Sequence, residues 1–226
     1  MPKADHEGPP HEVAAIRAAL TAALATKDAA GRYIGRAKCG IYAFYDYDNE
    51  PIYVGQTRES LGYRIRRHLT NQRTDAVAMS VLDPFEVASI SMWPLWELEG
   101  KSEGQEKKVL SAAEFTVYEA LRKESRFHVV LNEQPPTKSK LKVKLPKPVQ
   151  VSIIPADIFE RRKHSDVRIA RRASTIARLA QVISERSVSK GLRQTLRFQA
   201  QRLLHLSTIR LEATVGLPGH AIEVES

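Results

Sequence analysis

Hydrophobic positions follow two rhythms along this chain. Ala14, Ile16, Ala19, Leu20 and Ala23 recur at helical spacing and predict a helix over residues 10–27, punctuated by Gly31. Residues 40–47 alternate instead, with Ile41, Ala43 and Tyr45 on one face and Tyr42, Phe44 and Tyr47 near the other. The Asp- and Asn-rich stretch Asp46 to Pro51 predicts a turn, and Ile52-Tyr53-Val54 a returning strand, so the two strands form a hairpin. Ser60 is placed to cap a helix running to about Asn71. A third strand is expected from Phe85 to Trp93 and a second long helix from Lys107 to Lys123. Val129-Val130-Leu131-Asn132 closes this unit and Pro135-Pro136 ends it.

Beyond the prolines the pattern changes. Lys138, Lys140, Lys142 and Lys144 recur every second residue, which would put them on one side of an extended strand or arm; Pro146 and Pro148 argue against a helix there. Ser165 to Leu211 reads as two helices separated near Gly191. Ile169, Ala173, Ile176, Leu179, Ala180 and Ile183 form one apolar stripe, and Leu192, Leu196, Phe198, Leu203, Leu206 and Leu211 another. Residues 218–226 read as loose. The expected organisation is a helical extension (1–36), an α+β unit with a three-stranded antiparallel sheet flanked by helices (37–136), a Lys/Pro-rich linker or arm (137–150) and a basic helical module (151–226).

Composition narrows the class. Of 226 residues, 42% are hydrophobic and 27% charged, which suits a folded soluble protein rather than a disordered one. No apolar run reaches the roughly 18–20 residues that span a bilayer, and Met1 to Glu7 has no signal-peptide character. The single cysteine, Cys39, reads as a small core residue, and a reducing cytoplasm is the expected setting. The net charge of +9 is unevenly spread: residues 138–210 hold 18 Lys/Arg against 4 Asp/Glu, a net +14, leaving −5 elsewhere. That asymmetry points to a nucleic-acid partner for the basic half. Arg168, Arg171, Arg172 and Arg178 are the expected helical contacts, beside the lysines of the arm.

Gly40-Ile41-Tyr42, Tyr53-Val54-Gly55 and the run Leu61-Gly62-Tyr63-Arg64-Ile65-Arg66-Arg67-His68-Leu69 together resemble the GIY-YIG nuclease superfamily over roughly residues 39–132. A Tyr33-Ile34-Gly35 also occurs, in the wrong order to belong to the pattern. The resemblance implies hydrolysis of nucleic-acid phosphodiesters with Mg²⁺ or Mn²⁺. It implies a catalytic set of Tyr42, Tyr53, Arg64, His68, Glu114 and Asn132, with Glu114 as metal ligand. Arg64 and His68 are four residues apart and share a helix face; Arg66 and Arg67 point elsewhere and suit backbone phosphates. Glu114 is preferred over Glu119 because Val117, Tyr118 and Leu121 follow it at packing offsets, whereas Arg122, Lys123 and Arg126 follow Glu119.

The residue types suit the reaction. One carboxylate, with water and phosphate oxygens, can hold a hard cation that neutralises charge on the leaving oxygen. An arginine fork holds non-bridging phosphate oxygens. By resemblance Tyr42 is the proton acceptor, with its pKa lowered by neighbouring cations, while Tyr53 and His68 orient water or join the relay; activity is expected to rise with pH. The chain reads as a DNA endonuclease of restriction, defence or a mobile element. Cutting both strands requires a homodimer or two sequential events. An RNA or single-strand nuclease, or a non-catalytic binder on a nuclease scaffold, remain alternatives.

Overall fold

The computed structural model describes residues 11–69 and 83–215. The expected tail and the end of the second helix towards Asn71 lie outside these residues. The strands are β1 (Gly40–Tyr45), β2 (Pro51–Thr57), β3 (Ser89–Pro94) and β4 (Val149–Ser152). They form one antiparallel sheet in the order β2-β1-β3-β4. The helices are α1 (His11–Leu24), α2 (Leu61–Leu69), α3 (Glu103–Glu124), α4 (Ala156–Lys163), α5 (Ser165–Glu185) and α6 (Lys190–Val215).

Alternation along β1 decides the layering. Ile41, Ala43 and Tyr45 face one side with Val54 and Trp93, and meet Leu110, Ala113, Val117, Tyr118 and Leu121 of α3. Tyr42 and Phe44 face the other side with Ile52, Ile90 and Met92, and meet Leu20 and Leu24 of α1, Leu61 and Ile65 of α2 and Ile158 of α4. A sheet buried on both faces explains why β1 has no exposed residue.

Several boundaries differ from the sequence pattern. The sheet has four strands where three are expected. β4 is short and edge-lying, and only Val149 and Val151 mark it. β3 starts at Ser89 because Asp83, whose side chain accepts from the Phe85 amide, caps a 3₁₀ turn over Pro84–Glu86. The α3 helix starts at Glu103, four residues before Lys107, on a capping box between Ser102 and Gln105. The α4 helix was not apparent in the apolar pattern, since Glu160, Arg161, Arg162 and Lys163 dominate it.

The largest departure is the seam between the C-terminal helices and the rest. The buried stripe of α5 is Arg168, Arg172, Thr175 and Leu179, one position off the expected apolar stripe. On α6 it is Leu192, Thr195, Gln199, Arg202 and Leu206. Three of these are arginines, and carboxylates from the hairpin turn and the 3₁₀ turn receive them. Arg168 lies 2.7 Å from Asp48 and 3.4 Å from Asp46. Arg172 lies 3.3 Å from Asp46 and 3.0 Å from Glu86. Arg202 donates to the Pro51 and Val129 carbonyls at 2.9 and 3.3 Å. Burial, with the like charges of Arg172 and Arg168, pulls the Arg202 pKa down to about 10 against Asp46 and Glu50, and burial pushes the Glu86 carboxyl up against the pull of Arg172. Gly191 brings α6 against the Glu133 backbone, where a Cβ would collide with the Glu133 carbonyl oxygen.

Candidate active site

The two tripeptides are explained by sheet register. Tyr42 pairs with Gly55, and Phe44 with Tyr53. Paired residues share a face, so the Tyr42 ring lies over Gly55, where no side chain stands. A Cβ at Gly55 would fall 2.5 Å from Tyr42 Oη and 2.8 Å from Tyr53 Cε1. The glycine is therefore the space that the tyrosine hydroxyl occupies. Ile41 and Val54 point the opposite way, into the α3 core.

The fully buried Tyr42 hydroxyl lies 3.1 Å from His68 Nε2. Tyr42, Tyr53, Phe44 and His68 form an aromatic cluster, with Tyr53 stacked on Phe44 at 5.9 Å and its ring 5.2 Å from that of His68. His68 reaches the cluster because α2 starts where expected: Ser60 Oγ accepts from the Tyr63 amide. The same helix carries Arg64, whose charge and hydrogen bond draw the Tyr42 pKa down. Burial outweighs that pull and holds Tyr42 well above the ordinary tyrosine value, with the Tyr53 and Glu114 charges adding to the rise. The expectation that cations lower this pKa is thus reversed by desolvation.

Glu114 comes from α3. The residue after Gly55, Gln56, donates from Nε2 to Glu114 Oε2 at 3.0 Å. Hydroxyl and carboxylate come from opposite layers and approach along β2, at the edge of the sheet. Desolvation raises the Glu114 carboxyl to about 7, against the opposing pull of Gln56 and Arg64. Gln56 was not anticipated; its place directly after the second tripeptide was the available signal.

Asn132 is held against the β2 backbone. Its Oδ1 accepts from the Val54 amide at 3.0 Å and its Nδ2 donates to the Val54 carbonyl at 2.8 Å. The Leu131 amide bonds the Ile52 carbonyl at 2.8 Å. Asn132 therefore completes the outer edge of β2 and fixes the backbone on which Tyr53 and Gly55 ride. The turn that brings it there passes through His128, with φ of 53°.

Of the expected phosphate-binding residues, Arg66 is exposed, and Arg67 pairs with Glu59 at 3.5 Å and lies over the Tyr63 ring. Lys138, Lys140, Lys142 and Lys144 are exposed, while Val143 and Leu145 between and beyond them pack on the α3-side core. Arg178 is exposed, and Arg171 lies 4.6 Å over the Phe85 ring. Arg168 and Arg172 are removed from any surface by the ion pairs described above. Nucleic acid cannot reach their side chains without parting that seam.

The model of the GIY-YIG catalytic domain matches residues 38–114. Over this segment the chain is similar to GIY-YIG catalytic domains. No curated protein and no solved structure matches the chain. GIY-YIG domains are generally those of endonucleases, so the segment supports nuclease activity on a nucleic-acid substrate at the level of the superfamily. They typically depend on a divalent metal. The matched stretch holds Tyr42, Tyr53, Arg64, His68 and Glu114, and stops short of Asn132. Among the described residues no helix is long and apolar enough to cross a membrane, and no group of three or more His, Cys, Asp and Glu is arranged to hold a metal. The donor set instead offers one half-buried carboxylate beside an arginine. That suits a hard cation that keeps most of its water and takes phosphate oxygens from its substrate.

Proposed function

We propose that the protein is a metal-dependent DNA endonuclease. One observation carries this reading: the buried Tyr42–His68 hydrogen bond and the Gln56-held Glu114 converge on one stretch of β2, with Arg64 interacting with both Tyr42 and Glu114. Glu114 would hold a divalent cation that neutralises charge on the scissile phosphate and the leaving oxygen. Arg64 is always charged and offers its fork to the non-bridging oxygens; its Nε is buried with no hydrogen-bond partner in the free protein.

Tyr42 acts as a relay rather than as a free tyrosinate. Its raised pKa keeps the hydroxyl protonated, so it takes a proton from the attacking water only as it passes its own to His68 Nε2. Tyr53 holds both rings in place. Asn132 positions β2 without touching the reacting atoms. DNA is bound along the exposed lysines 138–144 of the arm and the exposed Arg66 and Arg178, and the buried arginines of α5 and α6 fix the C-terminal helices to the catalytic unit.

The test is strand cleavage of a plasmid with Mg²⁺ or EDTA by the wild type, Tyr42→Phe and Glu114→Gln. Both variants should lose at least about a hundredfold in rate. Unchanged cutting by either would remove that residue from the mechanism.

A further inference from the structure

The groove beside Arg64 holds a charge arrangement that the catalytic reading does not use. It measures about 310 Å³ and is lined by Gln56, Arg58, Arg64, Lys107 and Ser111, among others. At its mouth Arg58 Nη2 and Lys107 Nζ converge on the same atom, Glu103 Oε1, at 3.0 and 2.9 Å. These two cations hold the Glu103 carboxyl below its ordinary pKa. The Glu103 side chain is 66% exposed. Behind the pair, Glu106 is 4% exposed and lies 3.4 Å from Arg58 Nε. It also lies 3.5 Å from Lys38.

We infer that Arg58 and Lys107 form a binding site for one backbone phosphate of the substrate, and that Glu103 fills it in the free protein as a carboxylate stand-in. The inference rests on the nuclease reading. The geometry supports it in three ways. Two cations aimed at one oxygen make the contact that a phosphate oxygen accepts. Glu106 anchors Arg58 from the buried side, so Arg58 stays in place when the exposed Glu103 swings out. Lys107, Ser111 and Glu114 stand at i, i+4 and i+7, on one face of α3. Seven residues of helix span about 10 Å, so the phosphate held at Lys107 is a neighbour of the one at Glu114 rather than the scissile phosphate. Strand binding would trade an internal anion for a nucleic-acid anion, which makes Glu103 a built-in competitor that lowers affinity for weakly held substrate.

The experiment is fluorescence anisotropy of a labelled DNA duplex titrated with the full-length protein in EDTA across a salt series. Arg58→Ala and Lys107→Ala should each weaken binding about three- to tenfold, and the double variant should lower the slope of log affinity against log salt by about one. Glu103→Gln should tighten binding about two- to fivefold. If the three residues are only a surface strut, Glu103→Gln leaves affinity unchanged or weakens it, and the inference is overturned. Salt-sensitive binding that ignores all three positions sinks the site and leaves the nuclease reading standing. Failure to bind duplex even at low salt overturns the site as proposed. Plasmid cutting indifferent to Glu114→Gln would sink the nuclease reading itself, and the inference with it.

Discussion

Glu114 should make the metal-free protein less stable than a variant that lacks its charge. In the folded chain its carboxyl titrates at about 7 against an ordinary 4.5, chiefly because burial disfavours the ionised form. The folded state therefore holds the proton more tightly than the unfolded state. Stability from this group is fully present below pH 4.5 and is lost as pH rises through about 7. The full difference corresponds to roughly 3 kcal/mol, and partial exposure of the side chain reduces it to about 2 kcal/mol. Glu114→Gln keeps the shape and a partner for Gln56, but carries no charge to desolvate. In urea denaturation with EDTA at pH 8, the variant should be more stable than wild type by about 2 kcal/mol, or roughly 4–8 °C in Tm. Most of the gap should close by pH 5. Saturating Mg²⁺ should stabilise the wild type and leave the variant unmoved. A variant equal to or less stable than wild type at pH 8 would refute the claim that this carboxylate is strained in the free fold.

Other outcomes follow from the same geometry. At limiting Mg²⁺ the cleavage rate should rise with pH through about 7, where Glu114 ionises, and the midpoint should move lower as Mg²⁺ increases, because metal and proton compete for one carboxylate; a midpoint indifferent to Mg²⁺ argues against Glu114 as ligand. Gly55→Ala should cost about a hundredfold in rate by pushing Tyr42 off His68, with substrate affinity measured by anisotropy nearly unchanged. Arg172→Ala should destabilise the chain by about 3–5 kcal/mol, since it leaves Asp46 and Glu86 buried and short of a partner, measurable by thermal unfolding. Changing Lys140, Lys142 and Lys144 together to Ala should leave Tm within a few degrees but weaken DNA binding with a shallower salt slope.

The hairpin, α2 and α3, which carry Tyr42, Tyr53, Arg64, His68 and Glu114, were legible because they rest on local signals. These include strict alternation in β1, a Ser60 cap and a helical four-residue step from Arg64 to His68. Three features were hidden. Asn132 was placed beyond the second helix correctly, but only the register of β2 shows that it serves the Val54 backbone. Arg168 and Arg172 looked like surface charges because long-range carboxylates, Asp46 and Glu86, lie about 80–125 residues away in sequence, and pattern reading weighs each helix alone. The acidic hairpin turn was the available complement, since Asp46, Asp48 and Glu50 stand two apart in the acidic front half of a chain whose C-terminal half is basic. The pKa of Tyr42 turned on burial rather than on neighbouring charge. Burial depends on Phe44, Tyr53 and His68 closing around one ring, which no linear pattern displays.

The most direct test of the account is cutting of supercoiled plasmid and of a circular single strand by the purified protein, with Mg²⁺ or EDTA, beside Glu114→Gln. The account predicts Mg²⁺-dependent cutting of DNA that disappears with EDTA and in the variant. Cutting that persists in Glu114→Gln, or intact salt-sensitive DNA binding with no cutting of either substrate, would contradict it.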